Sequence, residues 1–469
     1  MKDIKDTEPE IPMKNTNAKN TAPKTPLKDA LDAYCQKAPM RGHMPGHKGK
    51  ITVCAQHDVT ELYCTDDLYC ACGPIALLEA ALAKGAHSRR SLILTDGSSA
   101  GVRIILCTLA ACLAEGERVL MSRAVHKSAS DGCVFAGLNP DFAAPDTLLS
   151  VLENAPDGYY GAVFLTSPDY FGAIADLHAL SRLCRKKNVI LAVDEAHGAH
   201  LPYLDLPGLP CASALADISV QSMHKTMGAL TQAALLNINR AELISPALRF
   251  RRALCTSSPS YLIMESMESA ACCYPDKAPQ WLSRVLTLRR SLKNSGISLY
   301  EPALFDPTRL CILTPPGRGG EISQSLTAAG FVPELADPNA VVFILTPYDD
   351  DYAPLAVALR SLPLASPAAA PSVLPALPPP ERALDMRRAA FSPCACLPAK
   401  KSAGHISAVC AGAYPPGLPC VFPGEIISPE CADFLSRCAE RGASFGMENG
   451  CIAVLGQQSP RPLACGSKK

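Results

Sequence analysis

Between about residues 90 and 240, short apolar runs alternate with segments long enough to be helices, and this rhythm constrains the fold more than any other feature of the chain. The runs are SLILT (91–95), RVLMS (118–122), GAVFLT (161–166), VILAV (189–193), DISVQS (217–222) and AALLN (233–237). Several carry Val, Ile and Leu on both parities, as expected of strands covered on both faces. GVRIILCTLAACLAEG and DLHALSRLCRKKN lie between runs and are long enough for crossover helices. This is a βαβ pattern and predicts an α/β fold with a mostly parallel sheet. The last two runs are close enough in sequence to be neighbours through a shorter link, with an antiparallel pairing open to them.

The rest of the chain divides around this block. A length of 469 residues fits two to three domains. Residues 1–40 read as a polar N-terminal leader or arm, 41–285 as a large domain, and 286–469 as a smaller α+β domain. In the last, PALFDPTRLCILTP and NAVVFILTP look like strands, and the Pro/Ala-rich segment 361–384 excludes a continuous helix or central strand. A formal net charge of +0 argues against a nucleic-acid or anionic-membrane binder acting through bulk charge. No apolar run reaches the roughly 18 residues that span a bilayer, and the N-terminus lacks a secretory apolar core. The 22 cysteines include no C-x-x-C and sit mostly among Ala, Leu and Val, so they read as small core residues in a reducing compartment. A cytoplasmic protein is the expectation.

In doubly covered sheets, ligands bind beyond the carboxyl ends of the strands. Of the 10 histidines, His126, His197, His200 and His224 fall in the few polar segments just after these runs. Lys225 follows Ser222 and His224 and precedes small and apolar residues. A lysine amine is nucleophilic only when neutral, burial lowers its pKa, and such a lysine forms a Schiff base with a carbonyl. Asp194 ends VILAV, where a carboxylate needs a cationic partner; a protonated pyridine nitrogen is one, an arginine another. DGSSAG (96–101) stands between a strand and an apolar helix and can offer N–H groups and the hydroxyls of Ser98 and Ser99 to a phosphate. His126, in AVHKS, can stack on a flat ring. The rival local reading gives His197 and His200, with Asp194 or Glu195, to zinc; the expectation is no metal.

Together these motifs resemble the pyridoxal-phosphate (PLP)-dependent Orn/Lys/Arg decarboxylases of bacteria, in the shorter form without a wing domain. The resemblance rests on HMPGHKG, TELYCTDDL, DGSSAG, AVHKS, TSPDYFG, DEAHGAHL, SMHKTMGALTQ, TSSPSYLIMES and YPPGLPCVFPGE, in the family's order over residues 41–428. It implies the aspartate-aminotransferase fold (fold type I), PLP held by the large domain, and a homodimer with interfacial active sites. It makes Lys225 the lysine that carries the cofactor, Asp194 the partner of the pyridine nitrogen, His126 the stacking ring and His197 a neighbour of the cofactor. Ser98, Ser99, Ser222 and His224 would hold the phosphate, and Thr256 and Ser258 would reach the neighbouring subunit's cofactor. The chain departs from the family at Gly42, Val102 and Glu268.

The implied activity is decarboxylation of arginine, lysine or ornithine to the corresponding amine, feeding polyamine metabolism. His126, His224 or a residue of the partner chain would return the proton to the former Cα. A buried carboxylate should read the distal cation of the substrate, and Glu425 is the candidate. Two alternatives stand beside this: another PLP reaction, such as transamination or aldol cleavage, and a non-catalytic PLP-binding relative. An aminotransferase would carry an arginine for the substrate carboxylate, and the sequence alone singles out none.

Overall fold

The structure is a computed structural model that describes residues 25–36, 56–349, 351–364, 371, 377, 380–414 and 417–456. HMPGHKG, Gly42 and most of the Pro/Ala-rich segment lie outside the described residues.

A seven-stranded sheet forms the centre of the chain. Its strands are β1 (Arg90–Leu94), β2 (Arg118–Ser122), β3 (Asp141–Ala143), β4 (Tyr160–Thr166), β5 (Ile190–Asp194), β6 (Ile218–Ser222) and β7 (Ala234–Ile238). Their order is β1-β7-β6-β5-β4-β2-β3. The pairs β2–β3, β2–β4, β4–β5 and β5–β6 are parallel. Strand β7 runs antiparallel between β1 and β6, which is what the short link from β6 allows.

Both faces of the sheet are covered, which accounts for apolar residues at both parities. Met121, Phe164, Ala192 and Val220 point into one core with Ile104, Ile105 and Leu109 of helix Gly97–Cys112. Leu120, Val163, Leu165, Leu191 and Val193 point the other way, onto Leu148, Leu152, Leu177 and Leu180. Gly101 brings helix Gly97–Cys112 close to β6, because a Cβ there would lie 2.4 Å from Val220 Cγ2. Val102, a departure from the family pattern, is buried in the same core.

Within the expected N-terminal leader or arm, Pro26–Gln36 is a helix whose Leu27 and Leu31 are fully buried, one turn apart on its inner face. Its first turn is held by Glu268, whose carboxylate accepts from Leu27 N (2.8 Å) and Lys28 N (2.7 Å). That contact gives the departure at Glu268 a physical reason, since an anion at a helix N-terminus satisfies free N–H groups. One helix runs Tyr261–Asn294, across the expected boundary at 285, and carries Pro275 and Pro279 inside it. Tyr274, Ala278, Trp281, Val285 and Leu292 bury its inner face. Packing along its whole length outweighs the hydrogen bonds that the two prolines remove.

Beyond that helix, β8 (Arg309–Leu313), β9 (Leu335–Asp337) and β10 (Ala340–Ile344) form an antiparallel sheet in the order β8-β10-β9. Two further three-stranded sheets and helix Pro429–Glu440 build the C-terminal part. Among the described residues no helix is long and apolar enough to cross a membrane.

Candidate active site

A cavity of about 810 Å³ opens at the carboxyl ends of β1, β2, β4, β5 and β6. Asp96–Ser99 line it after β1, Arg123 and His126 after β2, and Thr166, Asp169 and Tyr170 at and after β4. Asp194 and His197 follow from β5, and His224 and Lys225 from β6. The smaller domains contribute Glu334, Tyr414 and Leu418. One sheet edge therefore gathers most of the residues expected from the sequence.

Lys225 stands in the short helix Met223–Thr226 directly after β6. Its Nζ lies 3.1 Å from His197 Nε2. Burial lowers the Lys225 pKa, with Asp194 opposing. Asp194 is 4% exposed, and its Oδ1 accepts from Ala196 N at 3.1 Å. Burial pushes its carboxyl up, and Lys225 works against that shift. A carboxylate so placed calls for a cation close to it.

His126 caps helix Lys127–Ala136, where its Nδ1 accepts from Ser128 N at 3.2 Å. Its neutral-form proton is therefore on Nε2. Burial, then Lys225 and Lys127, bring its pKa down to about 4. Gly417 lies against the ring: its φ is +90°, and a Cβ there would come within 3.2 Å of His126 Cδ2. Gly97 N, at the start of helix Gly97–Cys112, donates to Gln232 O at 3.0 Å, and the Asp96 side chain does not cap the helix, which leaves the following first-turn N–H groups, at Ser98 and Ser99, on the cavity side. Ser98 and Ser99 line that end, and Ser222 Oγ donates to Ser98 Oγ at 2.7 Å. His224 Nδ1 is 3.0 Å from Ala233 O, so that nitrogen donates.

Other expected residues stand apart. Thr256 and Ser258 are exposed and do not line the cavity of their own chain, although Thr256 N donates to Asp96 Oδ1 at 3.2 Å. Glu425 is 1% exposed and is not in the cavity wall. Its carboxylate takes Arg123 Nη1 at 2.5 Å and Nη2 at 2.8 Å, and Phe422 N at 2.8 Å. In the zinc alternative, Glu195 is taken up by Ser213 N and Gln221 Nε2, and His200 Nε2 lies 2.9 Å from Thr308 Oγ1. Among the described residues no group of three or more His, Cys, Asp and Glu is placed to hold a metal ion.

The major-domain model of the Orn/Lys/Arg decarboxylases matches residues 25–153 and 144–314, and the C-terminal-domain model matches 383–448. The chain belongs to the Orn/Lys/Arg decarboxylase family. It is similar to an arginine decarboxylase of Bacillus subtilis, 27% identical over 474 residues, covering 89% of this chain and 94% of the relative. An arginine decarboxylase of Bacillus anthracis is 27% identical over 472 residues, with 89% and 94% covered. Among solved structures, the constitutive lysine decarboxylase of E. coli superposes with a TM-score of 0.72 at 17% identity, covering 92% of this chain and 82% of that one. A serine palmitoyltransferase of Sphingomonas wittichii reaches 0.50 at 18% identity over 61% of this chain and 74% of that one.

The protein is a PLP-dependent decarboxylase of the fold type I class. The cavity fits PLP: a buried carboxylate calls for a ring cation, an uncapped helix N-terminus with serine hydroxyls suits a phosphate, and a sheltered amine suits a carbonyl. Sequence reasoning passed over Arg309 and Glu334. Arg309 opens an apolar strand, which could have drawn attention to it; Glu334 sits in VPELAD, an ordinary loop by composition.

Proposed function

We propose that this decarboxylase acts on a basic amino acid, arginine, lysine or ornithine, and releases the amine that feeds polyamine metabolism. The observation that carries this reading is the charge of the cavity wall. Glu334 presents a carboxylate there, 2.6 Å from Tyr170 Oη, while Arg123 is already engaged by Glu425 and by Cys420 O at 3.0 Å. A distal ammonium or guanidinium thus finds an anion. The α-carboxylate meets no free arginine among the described lining residues, as suits a group that must leave rather than be pinned.

When bound, PLP supplies an electron sink for the bond that loses CO2. Lys225 would offer the amine that binds the cofactor's carbonyl, and Asp194 would supply the anion for the ring nitrogen. His126, with its neutral-form proton on Nε2, would pack against the cofactor. Ser98, Ser99, Ser222 and the first turn of helix Gly97–Cys112 would hold the phosphate. His224 shares in this only as imidazolium, since Ala233 O takes its Nδ1 proton. Glu334 is the better candidate than Glu425 for the distal cation, because Arg123 occupies both Glu425 oxygens. The exposed position of Thr256 and Ser258 supports a homodimer in which they reach the second copy's cavity. The described cysteines are free thiols, which supports a cytoplasmic setting.

Release of CO2 from carboxyl-labelled arginine, lysine and ornithine tests the proposal. Glu334→Gln should raise KM for the preferred amino acid about tenfold or more. Equal turnover of an uncharged amino acid by the wild type would contradict it.

A further inference from the structure

The protons of His197 fix the charge state of Lys225. Arg309 Nη2 lies 2.9 Å from His197 Nδ1. A guanidinium has only donors, so Nδ1 must accept and carries no proton. The neutral imidazole then keeps its proton on Nε2, and an imidazolium is excluded. That Nε2 is the atom 3.1 Å from Lys225 Nζ. An ammonium has three donors and no lone pair, so a charged lysine would set N–H against N–H. Only the free amine can accept this proton.

We infer that Arg309 is a positioning residue for Lys225: by donating to His197 Nδ1 it forces the proton onto Nε2, and that N–H holds Lys225 as the free amine. Its surroundings fit this role. Arg309 is 1% exposed, does not line the cavity, and has no hydrogen-bond partner at Nε or Nη1 among the described residues. So costly a burial is not explained by the satisfaction of its own donors. Gly172, with φ +97°, leaves room for it, since a Cβ there would lie 2.7 Å from Arg309 Cβ. The Tyr170 ring meets His197 edge-on at 4.9 Å and fixes its tilt. Around Lys225, Asp194 and Glu334 favour the ammonium, whereas burial and Arg309 favour the amine, and burial lowers the pKa of His126, His197 and His224.

The inference deepens the reading of Lys225 as the cofactor lysine and rests on it for its functional meaning. The full-length protein, prepared without cofactor and labelled with 15N-histidine, can be read by long-range 1H–15N NMR, with His197 assigned through His197→Phe. The Nε2–H tautomer is expected across neutral pH. An Nδ1–H tautomer or an imidazolium would overturn the inference, and this reading needs only the wild type to fold. Acylation of Lys225 by acetic anhydride, followed by peptide mass spectrometry, gives the second readout. Arg309→Met should slow it about tenfold, while Arg309→Lys, which keeps a donor, should stay within about threefold of wild type. In a His197→Phe background the Arg309→Met effect should shrink to less than half. An undiminished effect would mean that the guanidinium acts through space, and the relay would fall. If no visible band forms when PLP is added, the cofactor assignment fails, while the tautomer result stands separately.

Discussion

At Lys225 and Asp194 the protein shelters an amine and a carboxylate at one sheet edge without joining them in an ion pair. Asp194→Asn should lower turnover by roughly a hundredfold or more while PLP still binds, because the charge that protonates the ring nitrogen is lost. Stopped-flow CO2 release and cofactor titration separate the two effects. His126 should show in the acid limb of stability. Its pKa falls from 6.5 to about 4 on folding, so the unfolded chain takes a proton that the folded chain refuses. Stability contributed by this imidazole is complete above pH 6.5 and is lost as pH falls through about 4. Denaturant titrations from pH 7 to 4 should show a shallower decline for His126→Phe. At this scale, the placement of Lys225, Asp194 and His126 around the cavity was legible because motif and strand end coincide. Arg309 and Glu334 were not, because each reaches the site from more than 80 residues beyond Lys225 through tertiary packing.

Of strands β1–β10, all but β3 and β9 followed from apolar runs. Those two have three residues each, too few to show a period, and exist because a longer neighbour offers them an edge. The short strands of the two C-terminal sheets were not legible either. Helix Tyr261–Asn294 was hidden by its prolines, and helix Pro26–Gln36 by polar neighbours around Leu27 and Leu31. Two substitutions test what positions these elements. Gly101→Ala should cost about 1–3 kcal/mol, because its methyl group meets Val220 in a closed core, and should loosen the phosphate end of the helix. Urea melts and PLP affinity should change together. Glu268→Ala should cost about 1–2 kcal/mol by uncapping helix Pro26–Gln36, with the preferred substrate unchanged.

Across the whole molecule, the C-terminal part is joined to the sheet beside the cavity. Arg123 lies 4.8 Å from the Phe142 ring centroid and 4.6 Å from that of Phe422, and it pairs with Glu425. Glu425→Gln should cost about 3 kcal/mol, since it leaves a half-buried guanidinium without its anion, and should lower turnover of all three amino acids alike. A changed preference among arginine, lysine and ornithine would instead restore Glu425 as the substrate reader. The most direct test of the central claim is the visible absorption spectrum of the purified protein with PLP, recorded before and after adding each of the three amino acids, with CO2 followed in parallel. The account predicts a band that needs Lys225, is absent in Lys225→Ala, and shifts with one basic amino acid as CO2 appears. A band unchanged in Lys225→Ala, or a shift without CO2, would contradict it.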